Sequence, residues 1–365
     1  MQQKEPVSVL VSPLDWGLGH ATRCIPIIHE LIDQGARVWI ATGGTQLFLL
    51  KQAFPQLDFL EMPGYEIRYK QGFFLKWGLF SRIPSILRQI RRENKWLKEC
   101  IQQHRIDLVI SDNRYGLYHE DIYSVFMTHQ LYIQTGSGQI TNRILLKIHY
   151  RLIRKFSICW IPDQDGEFSI AGRLSHPPVP PPLPIHYIGI LSRFSVFEKD
   201  RVKNSLVILL SGPEPQRTDF EKILLKQLAG SNLKVVLVRG LPGSAHSIPI
   251  LRVGLEIYNH LPSERLNELL LESKWVIARS GYSTIMDLIR LKRNAILVPT
   301  PGQPEQEYLG YYMQEKKWMI CISQKEFSLE NSIKTFQNTK LVIPEMEKSG
   351  LKNAVTNLLQ FHSGF

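Results

Sequence analysis

Short apolar runs of strand length alternate with helix-spaced apolar patterns along the whole chain, and that rhythm restricts it to parallel sheets covered by helices. In the first half the strand candidates are residues 7–11, 37–41, 57–61, 107–111, 124–128 and 158–162. In the second half they are 206–210, 235–238, 255–258, 275–278, 295–299 and 319–322, separated by helical patterns such as 264–271 and 282–291. Between the halves lies His176-Pro177-Pro178-Val179-Pro180-Pro181-Pro182-Leu183-Pro184. Its prolines lack amide donors and favour an extended, semi-rigid connection. The expected organisation is therefore an α/β domain over 1–175, a linker over 176–186, a second α/β domain over 187–345, and a C-terminal helix within 346–365. A chain of 365 residues is long enough for two cores. Two such halves would face each other across a cleft lined by strand C-termini, where open α/β sheets bind ligands.

The segment Ser280-Gly281-Tyr282-Ser283-Thr284-Ile285-Met286-Asp287 follows a strand candidate and opens a helical pattern. Unpaired N–H groups and the positive end of the helix dipole suit such a turn to phosphate. The hydroxyls of Ser280, Ser283 and Thr284 add donors, and Asp287, one turn in, is placed for ribose hydroxyls. The plain alternative is an ordinary capped helix.

After the first strand candidate comes Ser12-Pro13-Leu14-Asp15-Trp16-Gly17-Leu18-Gly19-His20-Ala21-Thr22-Arg23. Gly17 and Gly19 permit a tight turn, but Thr22 stands where a dinucleotide fingerprint needs a small residue, and residues 41–44 carry no acid, which argues against nicotinamide binding. His20, entering a helix, is placed as a general base or as a donor to a substrate oxygen, with Asp15 as a second base candidate. A capping histidine is the alternative. The equivalent loop of the second half, Gly212-Pro213-Glu214-Pro215-Gln216-Arg217, offers Gly212 and Arg217 to phosphate, although its prolines remove backbone donors. Residues 299–308, including Gln306 and Glu307, concentrate amide and carboxylate groups suited to sugar hydroxyls.

Four cysteines (Cys24, Cys100, Cys159, Cys321) without a CxxC pair fit reduced thiols and supply no metal knuckle. Asp163-Gln164-Asp165 copies a metal-binding DxD superficially and is discounted as an isolated acidic pair; no metal and no cofactor are expected. His119 and His129 lack partners at ligand spacing. No apolar run approaches the ~20 residues that span a bilayer, and residues 7–11 are too short for a signal-peptide core, so the expected location is cytoplasmic.

The net charge of +11 is uneven. Residues 68–105 hold ten Lys or Arg against Glu93 and Glu99, and residues 143–155 hold five with no acid. In the first stretch Ile83, Ile86, Leu87, Ile90, Leu97 and Ile101 keep helical spacing, while Arg88, Arg91, Arg92 and Lys95 gather elsewhere on the wheel. The aromatics Tyr69, Phe73, Phe74, Trp77 and Phe80 precede it. A basic helix beside an aromatic-rich loop points to an anionic membrane surface, peripheral at the inner face, rather than to nucleic acid, for which no motif is visible. A solvated charged face is the alternative.

Gly17-Leu18-Gly19-His20 together with Ala278-Arg279-Ser280-Gly281-Tyr282-Ser283-Thr284, Asp287, Gln306 and Glu307 resembles the GT-B glycosyltransferases, and most closely family 28, which includes the bacterial N-acetylglucosaminyltransferase of peptidoglycan precursors. The resemblance implies two Rossmann-like parallel-sheet domains, the C-terminal one holding a nucleotide sugar, usually UDP-linked, and the N-terminal one the acceptor. It further implies that Ser280, Gly281 and Thr284, flanked by Arg279 and Ser283, meet the diphosphate, Asp287 the ribose, and Gln306 with Glu307 the donor sugar. Asp287 stands where that family usually has Glu, the N-terminal glycine loop is sparser, and Gly212-Pro213-Glu214-Pro215 replaces a glycine run. The expected activity is metal-independent transfer of a sugar from a nucleotide diphosphate to an acceptor hydroxyl, with a lipid-linked acceptor among the candidates. A nucleotide-sugar hydrolase of the same fold and a non-catalytic basic membrane-binding protein are the competing readings.

Overall fold

In the computed structural model the described residues are 5–62, 83–134, 138–197, 205–245, 248, 252–346 and 350–363. The chain forms two compact units, Met1–Leu191 with Glu347–Phe365, and Ser192–Met346.

Unit 1 holds a parallel seven-stranded sheet of order β3-β2-β1-β4-β5-β6-β7. Its strands are β1 Ser8–Pro13, β2 Arg37–Thr42, β3 Asp58–Glu61, β4 Leu108–Asp112, β5 Tyr123–Met127, β6 Ile158–Ile161 and β7 Ile185–Tyr187. The middle strands β1 and β4 are buried along their whole lengths, as a sheet covered on both faces requires. Helices α1 Leu18–Asp33, α2 Gly44–Ala53, α3 Ile83–His104 and α4 Gln139–Ile153 connect them. Unit 2 repeats the plan with six parallel strands in the order β10-β9-β8-β11-β12-β13. These are β8 Ser205–Leu209, β9 Lys234–Val238, β10 Leu255–Tyr258, β11 Trp275–Ala278, β12 Ile296–Leu297 and β13 Ile320–Cys321. The covering helices are α5 Gln216–Leu228, α6 Ser263–Glu272, α7 Tyr282–Arg290, α8 Pro304–Glu315 and α9 Leu329–Asn338. In both sheets the strand order reverses direction beside the first strand, between β1 and β4 and between β8 and β11. Those are the switch points at which open α/β sheets bind ligands.

Every strand expected from the sequence is present, and β7 is an addition. The chain also divides elsewhere than at the proline run: β7 pairs with β6 at Cys159↔Ile185, and the Tyr187 hydroxyl donates to the Ser175 carbonyl at 3.0 Å. The prolines cannot donate, but the amides after Pro184 can, so the sheet of unit 1 continues past them and the units part after Leu191. The C-terminal helix α10, Leu351–Ser363, returns to unit 1. There Thr356 donates to Gln34 at 3.0 Å, and Phe361 stacks on Tyr123 at 5.6 Å.

One packing contact sets a stability prediction. Gly116, in the loop after β4, lies against α3; a Cβ there would stand 2.5 Å from the Ile90 carbonyl oxygen and closer still to the Glu93 Cβ. Backbone on a helix cannot yield cheaply. Gly116→Ala is therefore expected to lower unfolding stability by about 1–3 kcal/mol, read as an earlier midpoint in urea.

Candidate functional site

The first constellation sits at the switch point of unit 1. Register pairs Pro13 with Asp112, so the last residues of β1 and β4 stand side by side. The loop from β1 turns through Gly17, at φ 73°, into α1. Gln46 of α2 pins this loop by donating to the carbonyls of Leu14 and Gly17, at 2.5 and 2.8 Å. His20 then projects beside Asp112, with Nδ1 2.9 Å from Oδ2. Arg23, one turn further along α1, donates through Nε to Asp112 Oδ2 at 2.8 Å and through Nη2 to Oδ1. The same Nη2 is 2.7 Å from His20 Nδ1, and Nη1 is 3.2 Å from Nδ1 of the buried His129.

The electrostatics follow from burial. Burial alone would raise the Asp112 carboxyl, but the Arg23 guanidinium and then His20 overcome it and hold it at about 2. Burial lowers His20, with Arg23 acting in the same direction and Asp112 opposing. A neutral imidazole beside an ionised carboxylate is the resting state these charges favour. Nδ1 can donate to Asp112 or accept from Arg23, but not both at once. When it donates, Nε2 carries the lone pair a general base needs.

Asp15 is engaged differently. Its Oδ1 lies 3.5 Å from Nη2 of the fully buried Arg114, which also donates to Glu93 at 2.8 Å and to the Pro13 carbonyl at 2.8 Å. Asp15 thus helps neutralise a structural cation under the loop. Asp112 and Arg23 were absent from the sequence-based expectation. Arg23 was visible as the residue at i+3 from His20; Asp112 meets His20 only because β4 is the neighbour of β1.

The second constellation is the switch point of unit 2. Gly281 caps α7, whose first turn carries Ser283 and Thr284, both half-buried. Asp287 lies at i+3 from Thr284 and i+4 from Ser283, and so shares their face of the helix. Its Oδ1 accepts from the Ser192 hydroxyl at 2.5 Å. Burial raises its carboxyl to about 6, opposed by the neighbouring Arg193 and by the Ser192 hydrogen bond. Ser192 and Arg193, the first residues of unit 2, are further additions to the expected set. Gly212, at φ 103°, follows β8, and a Cβ on it would stand 3.4 Å from Thr300 Oγ1. That hydroxyl is buried without a hydrogen-bond partner among the described residues.

Other expected ligands face inward. Arg279 is fully buried and donates to the carbonyls of Val298, Pro299 and Gln216 and to Gln324, at 3.2, 3.0, 3.0 and 2.7 Å. It also stacks 4.3 Å over Phe220. Ser280 donates its hydroxyl to the Gln306 carbonyl at 2.7 Å. Arg217 spends its guanidinium on Glu214, Glu221 and Thr218, at 2.6, 3.1 and 2.7 Å. Arg279, Ser280 and Arg217 are thus each held by groups of the protein itself, and the cause is the same in each case. A buried cation or hydroxyl needs partners, and backbone carbonyls or carboxylates supply them. Gln306 accepts the Thr300 N–H at 2.9 Å and Glu307 the Gly302 N–H at 3.0 Å, so both brace the turn entering α8. Asp163, set aside as a metal ligand, gathers the hydroxyls of Ser169 and Ser175, each at 2.6 Å, and three backbone amides.

On α3 the side chains of Arg88, Arg91, Arg92 and Lys95 are all exposed. The aromatics Tyr69, Phe73, Phe74, Trp77 and Phe80 lie outside the described residues. No described helix is long and apolar enough to cross a membrane.

Comparison with known proteins places this geometry. Residues 222–360 match the glycosyltransferase family 28 C-terminal domain. Among solved structures, the spinosyn rhamnosyltransferase SpnG aligns with a TM-score of 0.63 at 15% identity, covering 98% of this chain and 96% of that one. The same enzyme complexed with thymidine diphosphate aligns with a TM-score of 0.59 at 15% identity, over 98% and 96%. The glycosyltransferase SnogD from Streptomyces nogalater aligns with a TM-score of 0.56 at 15% identity, over 99% and 95%. A search of curated sequences finds no match. The chain has the GT-B fold, and over residues 222–360 it resembles the C-terminal domain of glycosyltransferase family 28.

Proposed function

We propose that the protein is a metal-independent glycosyltransferase that moves a sugar from a nucleoside diphosphate, UDP in preference, to the hydroxyl of an acceptor. The observation that carries this reading is the His20–Asp112 contact at 2.9 Å, in a chain whose other unit presents a helix N-terminus and a carboxylate at its own switch point. In the reaction the acceptor oxygen bonds to the anomeric carbon as the bond from that carbon to phosphate oxygen breaks. The diphosphate leaves with the electron pair, and His20 Nε2 takes the acceptor proton while Asp112 supports the imidazolium through Nδ1. The leaving group is stabilised by the first N–H groups of α7, at Gly281 to Thr284, with the Ser283 and Thr284 hydroxyls and the Thr300 hydroxyl as further donors. That field does the work a divalent cation does elsewhere. Gly17 and Gly19 give the acceptor-side loop its turn, and Gly212 lets backbone approach the donor. Gln306 and Glu307, which brace the turn before α8, border the donor sugar.

UDP is preferred on chemical grounds. An ionised Asp287 accepts hydrogen bonds from two adjacent ribose hydroxyls, and thymidine diphosphate offers only one. Calorimetry is expected to give UDP a several-fold tighter affinity than dTDP; binding to none of UDP, GDP and dTDP would overturn the transferase. The acceptor is proposed to be lipid-linked and met at the inner face of a membrane, a reading supported by the exposed cations of Arg88, Arg91, Arg92 and Lys95.

A further inference from the structure

We infer that Arg23 is a positioning residue that keeps His20 protonated on Nε2, and so unable to act as a base, until an acceptor is bound, and that it thereby discriminates the acceptor hydroxyl from water. A guanidinium carries N–H donors and no acceptor, and it stays charged at every pH the fold meets. Its contact of 2.7 Å from Nη2 to His20 Nδ1 is therefore a hydrogen bond only when Nδ1 holds a lone pair. In a neutral imidazole the proton is then on Nε2. The same reasoning fixes the second ring. Nη1 lies 3.2 Å from Nδ1 of His129, so that nitrogen accepts as well, and His129, 5% exposed, anchors the far side of the guanidinium. Nε and a further N–H of Nη2 go to the two oxygens of Asp112.

Two tautomers of His20 compete, and burial decides between them. With the proton on Nδ1, His20 donates to Asp112 Oδ2 at 2.9 Å. That proton then also faces the Nη2 donor at 2.7 Å, and a guanidinium N–H loses its acceptor on a side chain only 2% exposed. With the proton on Nε2, only an acceptor is under-used: Oδ2 still takes the Arg23 Nε N–H at 2.8 Å, and both oxygens keep the guanidinium. A buried donor without a partner costs more than a carboxylate lone pair to spare. The resting ring thus offers a donor at Nε2 where the reaction needs a lone pair. In hydrolysis a water oxygen would bond to the anomeric carbon as the bond from that carbon to phosphate oxygen breaks, the diphosphate would leave with the electron pair, and one water proton would have to go to Nε2. Water brings little binding energy with which to move the ring proton. An acceptor held by its own contacts can draw on them. The proton on Nε2 then passes to solvent, another from solvent takes Nδ1, the ring stays neutral, and Asp112 receives the new N–H.

The inference rests on the transfer reaction proposed above, but its first test requires no turnover. Full-length protein labelled with heavy nitrogen in its histidines is to be observed by NMR at pH 8, the His20 signals being identified by their loss in His20→Gln. The ring proton is expected on Nε2 in wild type and on Nδ1 in Arg23→Lys, whose single ammonium keeps a charge beside Asp112 but cannot span it and both imidazoles. His129→Phe, which leaves the pair of Arg23 and Asp112 in place, should shift His20 in the same direction, and His129→Gln, which restores an acceptor, should return it. With UDP-glucose or UDP-N-acetylglucosamine and no acceptor, Arg23→Lys should release sugar about tenfold faster than wild type, as a freed general base allows. A wild-type His20 protonated on Nδ1 overturns the inference, and so does sugar release by Arg23→Lys no faster than by wild type. Either result would leave the transferase standing, whereas absence of nucleotide binding would strike the transferase and leave the tautomer of His20 as assigned.

Discussion

Replacing His20 with alanine is expected to lower turnover by about 10²- to 10⁴-fold, the range for removing a positioned general base, while UDP affinity stays as it was. In the proposed reaction the base and the nucleotide belong to different units, each with its own switch point, so the variant separates chemistry from donor binding. Arg23 refines the expectation. Its guanidinium is clamped by Asp112 and touches His20 Nδ1 at 2.7 Å, so it biases the ring against protonation. Arg23→Lys keeps a cation for the buried carboxylate yet loses the fork that reaches both partners. The acidic limb of the kcat/KM profile should then move to higher pH, because His20 is freed from a nearby charge that lowers it. Removing the pairing outright is a poorer test. Asp112→Ala leaves Arg23 buried without its counter-ion, a change that costs about 3–5 kcal/mol in comparable pairs, and lost activity would then report unfolding. Unchanged turnover in His20→Ala removes the histidine from the mechanism.

The sheets were legible because buried parallel strands read as continuous apolar runs, and twelve such runs appear where the strands are. β7 escaped notice because three residues, Ile185–Tyr187, behind a proline run carry no such pattern. The glycine-bearing loops after β1, β8 and β11 were legible for a similar reason, since a strand, a glycine and a helical pattern in succession have few other readings. What joins those loops to their partners was not. Asp112 reaches His20 through strand order, and Ser192 and Arg193 reach Asp287 from 95 residues away in the case of the Ser192 bond. Long-range pairing leaves no local trace. The inward turn of Arg279 and Ser280 was hidden for a further reason: a motif names residue types, while burial decides whether a side chain serves a ligand or the backbone of its own loop. Of the hydroxyls at later positions, Thr284 stands in the first turn of α7, and Thr300, beyond β12, is buried without a hydrogen-bond partner among the described residues.

The two switch points differ in their electrostatics. In unit 1 an anion, Asp112, is held ionised and already paired, so the imidazole it touches can receive a proton without a second buried carboxylate left uncompensated. In unit 2 the helix N-terminus offers positive potential with no acid in its first turn, which suits a departing diphosphate. Water in place of the acceptor would use the same groups, so the rate of sugar release without acceptor measures how well unit 1 excludes it. A full rate under that condition would mark a hydrolase.

Asp287 gives the largest expected effect on donor binding. Its carboxylate, raised to about 6, is protonated in the folded protein at pH values where the unfolded chain has already ionised. The folded state therefore binds the extra proton between about pH 4 and 6, and its stability contribution, full below the unfolded value, is lost as pH rises through 6. Nucleotide binding runs the other way. Only the ionised carboxylate accepts from both ribose hydroxyls, so UDP affinity should climb from pH 5 to 7 with a midpoint near 6. Asp287→Asn should flatten that profile, and Asp287→Ala should weaken UDP at pH 8 by about 10- to 100-fold, the worth of hydrogen bonds to a charged group. Both variants take a carboxylate away from Arg193 as well as from Ser192, so a denaturation midpoint at neutral pH accompanies each titration as the control for folding. Titration of wild type and Asp287→Asn side by side, by calorimetry at pH 5, 6, 7 and 8, tests the assignment. A pH-independent wild type, or an unchanged alanine variant, would reduce the segment from Ser280 to Asp287 to a capped helix that binds nothing.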